Sequence, residues 1–306
     1  MPLPPEIAEN LRLPLISAPM FLVSGPDLVI ASCRSGVIGS FPTANCRTLD
    51  ELDGWLGKIV TETSNAAPFA PNLIVHKSNL RLMEDTALVA KHQAPLVIAS
   101  VGSPTPIINA IHEYGGRVFA DIASMRHAKK AIATGVDGLI LLTAGAGGQT
   151  GWANPFAFVR AVRDIFDGPV VLAGGISDGV ALKAAVTLGC DLAYMGTQFI
   201  ATQESMAARG HKDMLVESSL DDIMLTSAFT GLPASKLRPS IIAAGLDPDA
   251  LPARGMIDIS TDINPDKRPK RWRDTWSAGH SVSGVKDVPS VGLLVDRLVA
   301  EYQRAA

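Results

Sequence analysis

A (β/α)8 or TIM barrel of the α/β class is the fold that the sequence predicts. Eight short, β-branched apolar runs alternate with longer helical patterns, at a spacing of about 26 residues per strand–helix unit. The runs are almost continuously apolar, which is typical of strands buried on both faces in a parallel sheet. No Gly-x-Gly-x-x-Gly follows the first run, which weighs against the rival fold, an open doubly wound sheet.

The strands and helices of this barrel can be assigned in chain order. Thr48 and Glu51 form a capping box that opens a helix at 49–60, because the Thr side chain can accept a hydrogen bond from the first turn. Gly115, Gly135 and Gly189 each end a helical pattern directly before a strand, as C-cap glycines do. The predicted strands are 13–20, 37–43, 69–75, 95–101, 117–123, 136–142, 169–173 and 192–195, and the other helical patterns are 80–92, 106–114, 126–134, 155–166 and 178–188.

The alternation stops after about residue 202, which predicts a smaller helical lid or insertion after strand eight. Helical patterns at 206–216, 220–226 and 236–244 are joined there by Pro-rich connections. An amphipathic pattern at 288–302 then predicts a last helix in the outer ring of the barrel. The expected division is a barrel from 1–202 plus 274–306, and an insertion at 203–273.

Composition and charge limit the class of partner. The 306 residues carry 27 Lys and Arg against 30 Asp and Glu, a net charge of −3, which gives no general attraction to nucleic acid or to an anionic membrane. The basic cluster at 267–273 is short, and we interpret it as a solvated surface segment rather than a phosphate-facing patch. Three cysteines without a CxxC pair favour neither a disulfide scaffold nor a zinc site. With no secretory signal and no membrane-spanning run, we expect a cytoplasmic protein that acts on a small molecule.

Two glycine-containing loops occupy the positions where barrels of this type commonly bind phosphate. These loops follow strands seven and eight, and they contain Gly174-Gly175 and Gly196-Thr197. Glycine lets backbone N–H groups approach an anion closely, and a following helix N-terminus favours negative charge. Each loop alone is consistent with a tight turn, but together they favour a phosphate site.

Other candidate residues lie at the same ends of the strands. The loop at 143–152 after strand six is dense in glycine, so its backbone can lie close to a flat ligand. His76 after strand three is either functional or merely hydrogen-bonded, and Asp121 on strand five is either a paired carboxylate or a ligand contact. A phosphate-binding barrel such as a sugar-phosphate isomerase or lyase could use Asp121, but that function would leave the glycine-rich loop unexplained.

Six segments of the chain form a combined pattern: Ala18-Pro19-Met20, Asn72, 145–151, Ala173-Gly174-Gly175-Ile176, Met195-Gly196-Thr197 and Trp276-Ser277-Ala278-Gly279-His280. Together they resemble the nitronate monooxygenase family, once called 2-nitropropane dioxygenases. The resemblance covers essentially the whole chain, and it implies an FMN-binding barrel with a helical lid. By motif position it implies that Gly174, Gly175, Gly196 and Thr197 hold the phosphate. It also places Ala18, Met20 and Asn72 near the isoalloxazine, with Ala146 and Gly147 beside it.

The sequence departs from this family at one catalytic position. Where the family usually has a histidine in the strand-six loop, this chain has Gln149. An amide exchanges hydrogen bonds but takes no proton at neutral pH, so we expect Gln149 to orient substrate. His76 is then the candidate replacement acid or base, and His280 is a further histidine that could lie at the flavin.

These observations favour an FMN-dependent oxidoreductase of the nitronate monooxygenase type. The flavin would be reduced by a small organic substrate and reoxidised by an electron acceptor, either oxygen or a quinone. The alternatives are an NAD(P)H-dependent flavin reductase of quinones or enoyl groups, the non-flavin phosphate-binding barrel, and a flavin-binding module without turnover.

Overall fold

Eight parallel strands close into a barrel in the computed structural model, which describes residues 3–229, 231–251 and 274–305. The barrel order is β1-β2-β3-β4-β5-β6-β8-β9, and β1 pairs with β9 to close it. The predicted (β/α)8 fold is therefore confirmed. The strands are β1 Leu15–Ser17, β2 Ile38–Pro42, β3 Phe69–Ile74, β4 Leu96–Ser100, β5 Arg117–Ile122, β6 Gly138–Leu142, β7 Gly148–Gln149, β8 Val170–Ala173, β9 Leu192–Met195, β10 Ile223–Thr226 and β11 Ala234–Leu237.

Helices follow the barrel strands at nearly the predicted positions. Thr48 caps α3 by accepting a hydrogen bond from Glu51 N, and Gly189 ends α8 in the left-handed conformation. The predicted first strand is shortened at both ends because Pro14 and Pro19 have no N–H to give to a neighbouring strand. The helices are α1 Pro5–Ala8, α2 Pro26–Arg34, α3 Leu49–Glu62, α4 Leu82–Lys91, α5 Thr105–His112, α6 Met125–Ala133, α7 Pro155–Arg163, α8 Gly179–Leu188, α9 Thr197–Ile200, α10 Arg209–Glu217, α11 Arg238–Ala243 and α12 Val291–Arg304.

The last helix completes the outer ring, as the sequence predicts. α12 packs against α8 and α2 through Val291, Leu294, Val295 and Leu298, all of them buried. Glu301 of α12 also accepts a hydrogen bond of 2.9 Å from the Gly179 N–H at the start of α8. No helix in the described parts of the chain combines the length and the apolar character needed to cross a bilayer.

Side chains alternate along each strand between the barrel interior and the surrounding helices. On β5, Phe119 points into the barrel, while Val118 and Ala120 belong to the core between the strands and the surrounding helices. Ile7 of α1 belongs to the interior cluster, so the N-terminal segment packs against the barrel interior. The other members of this interior cluster are Ile16, Ile38, Ala70, Leu96, Ile98, Ile140, Val171, Ala173, Leu192 and Tyr194.

Phe119 gives a direct test of the packing inside the barrel. It is fully buried and lies opposite Gly138 on β6, where an added Cβ would come within 2.5 Å of the Phe119 ring. We expect Phe119→Ala to lower the free energy of unfolding by about 3–5 kcal/mol, because it leaves a cavity in the barrel interior. Phe156, which is 63% exposed, is the matched control. Urea unfolding curves that are equal for the two alanine variants would contradict this assignment of the core.

The insertion contains a small antiparallel sheet as well as helices. The helix expected at 220–226 is wrong: Leu220–Asp222 forms a 3-10 turn, and β10 follows it directly. β10 pairs with β11, and β11 pairs with β7 from the strand-six loop, so partners distant in sequence determine the strand conformation. The basic cluster at 267–273 lies outside the described residues, and the boundary of the insertion at 273 stays a prediction.

Candidate active site

A cavity of about 410 Å³ lies at the C-terminal ends of the barrel strands. Its floor is the uppermost layer of inward-pointing residues, each within two residues of the end of its strand. The period of two along each strand makes these residues the top layer of the barrel interior, and Ala173 and Tyr194 belong to the interior cluster itself. They are Ala18, Pro42, Asn72, Ser100, Asp121, Leu142, Ala173 and Tyr194.

The polar residues of the floor form an arc on β3, β4 and β5. Asn72 Nδ2 donates to Ser100 Oγ at 3.0 Å and to the Ile98 carbonyl at 3.1 Å, so this part of the arc is hydrogen-bonded within the protein. Asp121 Oδ1 is buried without a hydrogen-bond partner among the described residues. Desolvation raises the pKa of Asp121 to about 7, far above its ordinary value, so a large fraction of this carboxyl group is protonated at neutral pH.

A fourth polar residue of the floor lies on β9. The Tyr194 hydroxyl is also buried, and it has no hydrogen-bond partner in the described parts of the chain. Burial and the nearby Asp121 raise the pKa of Tyr194 well above its ordinary value, so the phenol stays protonated. The floor therefore presents two groups whose hydrogen bonds are left for a ligand.

The loops after β8 and β9 form a glycine cradle beside this floor. Gly174 and Gly175 have φ angles of 124° and 75°, a region that favours glycine. A Cβ on Gly174 would lie 2.5 Å from Thr143 Oγ1, whereas a Cβ on Gly175 would meet no atom within 4 Å. Gly175 lines the cavity, so the open space beside it is available to a ligand.

The helix after Gly175 contributes less to this cradle than the sequence suggests. α8 begins only at Gly179, and the Asp178 carboxylate caps it by accepting a hydrogen bond of 2.8 Å from Ala181 N. By contrast, α9 begins at Thr197 directly after Gly196. No Lys or Arg lines the cavity within the described ranges, so a phosphate here would depend on backbone N–H groups and the Thr197 hydroxyl.

The glycine-rich loop after β6 packs closely on the segment near residue 279. The His280 N–H donates to the Gly145 carbonyl at 2.9 Å, and a Cβ on Gly147 would lie 2.8 Å from Gly279 N. Gln149 at the end of this loop pairs with Ala234 in the sheet of the insertion. The barrel loop and the insertion are therefore joined by backbone hydrogen bonds at the edge of the cavity.

The structure brings most of the predicted site residues to one place. The cavity wall contains Ala18, Met20, Asn72, Ala146, Gly147, Gln149, Gly174, Gly175, Gly196 and Thr197.

The histidines proposed from sequence do not join them. His76 is absent from the described lining, and its Nδ1 lies 2.8 Å from Ser78 Oγ. The geometry therefore gives no support to His76 as the replacement acid or base. His280 is exposed and does not line the described cavity either.

The histidine that does line the cavity is His211, which no local pattern in the sequence distinguishes. It comes from α10 in the insertion, is buried, and stacks on Trp276 with ring centroids 5.0 Å apart and planes within 11°. Its Nε2 lies 3.3 Å from the Ser277 carbonyl, which can only accept, so Nε2 carries the proton in this contact. Desolvation, with smaller contributions from the Lys236 and Lys212 cations, lowers the pKa of His211 to about 4, so the imidazole is neutral near pH 7.

Comparison with known proteins identifies the family. The family profile described as nitronate monooxygenase matches residues 80–301, most of the chain.

The chain belongs to the nitronate monooxygenase family.

A curated nitronate monooxygenase from Paraburkholderia phytofirmans is 27% identical, with 77% of this chain and 76% of the relative covered. A Mycobacterium tuberculosis protein named (3aS,4S,5R,7aS)-5-hydroxy-7a-methyl-1-oxo-octahydro-1H-indene-4-carboxyl-CoA dehydrogenase is 28% identical, and the match covers 75% of this chain. The chain spans 64% of the length of that relative.

Solved structures with the same fold cover almost the whole chain. FabK from Thermotoga maritima superposes with a TM-score of 0.81 at 23% identity, covering 98% of this chain and 95% of that one. Nitroalkane oxidase from Streptomyces ansochromogenes gives a TM-score of 0.78 at 24% identity, with 98% of each chain covered. At these identities the superpositions support the barrel fold, while membership in the family indicates a flavin-dependent oxidoreductase.

Proposed function

We propose that this protein is an FMN-dependent oxidoreductase that oxidises a small organic substrate and passes the electrons to oxygen or a quinone. The observation that carries the proposal is the shape of the cavity. A glycine cradle suited to a phosphate lies at one side, and a floor with hydrogen-bonding groups lies beside it. Family membership supports the same conclusion.

The described residues fit FMN better than FAD. Gly175 leaves open space beside two neighbouring loops, which suits one compact phosphate group. The chain has no pyrophosphate fingerprint after its first strand. When bound, the flavin would supply the redox chemistry, and the protein would supply binding, orientation and electrostatics.

The residues around the cavity have separate expected roles. Gly174, Gly175, Gly196 and Thr197 would hold the phosphate, as the sequence motifs imply. Ala18, Met20, Asn72, Ala146 and Gly147 would surround the ring system.

Gln149 and His211 are the polar side chains expected to orient the substrate. The Gln149 amide can both donate and accept a hydrogen bond but cannot remove a proton from carbon at neutral pH. His211 is neutral, and its low pKa makes it a weak base, so it is better suited to accepting a hydrogen bond than to taking a carbon-bound proton. A substrate that is already an anion, such as a nitronate, needs neither group as a base.

The names of the relatives leave the substrate class open. One relative is named a nitronate monooxygenase, and another, of similar identity, is named a dehydrogenase of a bicyclic carboxyl-CoA compound. Both names describe oxidation of the substrate, which favours this direction over an NAD(P)H-dependent reductase of quinones or enoyl groups. An acyl-CoA ester therefore belongs beside nitronates among the substrates to test.

The identity of the flavin is the first experimental test. We expect the purified chain to be yellow and to release FMN on denaturation, as resolved by chromatography of the supernatant. Release of FAD would contradict the choice of FMN, and no flavin after reconstitution would contradict the proposal and favour the non-flavin barrel.

A second measurement tests the direction of electron flow. The holoprotein is mixed under anaerobic conditions with a nitronate, an acyl-CoA ester, NADH or NADPH in turn, and bleaching of the flavin absorbance is recorded. Bleaching by the organic substrates supports the proposal. Bleaching by NADH or NADPH alone would favour the reductase.

A further inference from the structure

Asp121 and Tyr194 are two buried polar residues of the cavity floor that lie outside the glycine cradle. They lie on β5 and β9, and both line the cavity. Asp121 Oδ1 and the Tyr194 hydroxyl are buried and lack hydrogen-bond partners in the described structure. Unpaired buried polar atoms are costly in a folded protein, so a ligand is expected to satisfy them.

The position of Asp121 relative to the glycine cradle indicates which part of a bound flavin would contact it. The cradle follows β8 and β9, while the polar arc of Asn72, Ser100 and Asp121 runs along β3, β4 and β5. A flavin with its phosphate in the cradle would extend its ring across the floor toward this arc. The polar edge of that ring is the pyrimidine, which presents carbonyl groups and an N–H.

We propose that Asp121 binds the pyrimidine edge of the flavin as a neutral carboxylic acid, and that flavin binding is therefore linked to uptake of a proton. This inference rests on the proposed function. A neutral carboxyl group offers one O–H donor and one C=O acceptor, which match a carbonyl and an N–H on the ligand. Tyr194 adds a hydroxyl group to the same floor.

An ionised Asp121 would oppose this binding for two reasons. The carboxylate would lose its only donor, and its charge would face the carbonyl oxygens of the ring. No Lys or Arg among the described lining residues could compensate that charge. At alkaline pH the carboxylate would therefore have to take a proton from solvent whenever flavin binds.

The other titratable groups of the described lining do not change their charge in the relevant pH range. They are Tyr194, whose pKa is raised well above its ordinary value, and His211, whose pKa is about 4. The pKa of Asp121 is about 7. Between pH 7 and 8.5, Asp121 is thus the group of the described cavity that loses its proton, and the FMN phosphate, with a second pKa of about 6, is already doubly ionised.

The test is the pH dependence of FMN affinity in the full-length chain. If FMN binds only to the chain with neutral Asp121, the dissociation constant for FMN rises as the neutral fraction of Asp121 falls. The expected rise is about 30-fold between pH 6 and pH 8.5, after the effect of ionisation of the FMN phosphate on binding is subtracted. Asp121→Asn keeps the shape of the side chain and cannot ionise, so it should remove this rise. The pH dependence that remains in this variant measures the effect of the FMN phosphate alone. Tyr194→Phe should weaken binding by about 5–10-fold at every pH and keep the rise.

Calorimetry on the unsubstituted chain tests the proton uptake directly, so its result does not depend on whether the variants fold. FMN is titrated at pH 8 in buffers of different ionisation enthalpy, and we expect uptake of about 0.9 proton for each flavin bound. No proton uptake, or an equal pH dependence in Asp121→Asn, would overturn the inference. Absence of FMN binding at every pH would instead overturn the proposed function.

Discussion

Gly175→Leu should abolish stable flavin binding while the barrel stays folded. The leucine side chain would enter the cavity, because the Cβ position at Gly175 meets no protein atom within 4 Å. It would occupy the space that the phosphate needs and separate the phosphate from the backbone N–H groups of the cradle. Two hydrogen bonds to a charged group are worth about 1.5–3 kcal/mol each, so FMN affinity should fall by at least ~10²-fold.

A glycine remote from the cavity supplies the matched control. Gly135 ends α6 with a φ angle of 84°, close to the 75° of Gly175, and a Cβ there also meets nothing within 4 Å. Gly135→Leu therefore introduces a similar backbone strain of about 1–2 kcal/mol without entering the cavity. FMN content is measured by absorbance and folding by circular dichroism. Equal FMN content in both folded variants would show that the Gly174-Gly175 loop is only a turn.

Gln149→His should give activity toward neutral carbon acids that the natural chain lacks. Removing a proton from the α-carbon of a nitroalkane requires a base, and general-base help is typically worth ~10²–10⁴-fold. Gln149 lines the cavity at the end of β7, where its backbone pairs with that of Ala234. An imidazole at this position, with a pKa near its ordinary value, would supply the missing base.

Comparing the rates with a nitronate and with its neutral nitroalkane distinguishes the effect of an added base from other effects of the substitution. The natural chain should oxidise a pre-formed nitronate much faster than the corresponding neutral nitroalkane. Gln149→His should raise kcat/KM for the nitroalkane by ~10²-fold or more, and it should change the rate with the nitronate far less. Gln149→Asn, which keeps the amide, is the control for altered packing.

Histidine substitutions show whether another residue already acts as the base. His76→Ala should leave turnover unchanged, because His76 interacts with Ser78 away from the described cavity wall. His211→Asn should alter KM for the substrate more than the pH profile, because a neutral imidazole that only positions substrate has no titration near pH 7. Efficient oxidation of the neutral nitroalkane by the natural chain, surviving in both variants, would contradict the argument about Gln149.

Local sequence patterns were sufficient for the barrel and for much of the site. The strand–helix alternation depends on residues close in sequence, so the eight barrel strands could be located from periodicity and from glycines such as Gly115 and Gly135. The cradle was predictable for a similar reason. Gly174 and Gly175 are required by the backbone conformation of their own loop, and the barrel topology places that loop beside the one at Gly196.

The residues that the sequence missed are those brought to the cavity by distant segments. His211 reaches it from the insertion by stacking on Trp276, 65 positions further along the chain, and no local pattern encodes that contact. The strand conformation of β10 likewise depends on β11 and, through it, on β7, which is why a helix was expected at 220–226.

The sequence by itself determined the fold class, the positions of the loops and the types of residue at the strand ends. Only the tertiary structure decided which of those residues line a common cavity. Asp121 could be interpreted from sequence as either a paired carboxylate or a ligand contact, and the choice depended on what surrounds it in the barrel. His76 and His211 were distinguished in the same way. Side-chain direction, desolvation and hydrogen-bond partners arise from packing between elements, so they are absent from any local pattern of residues.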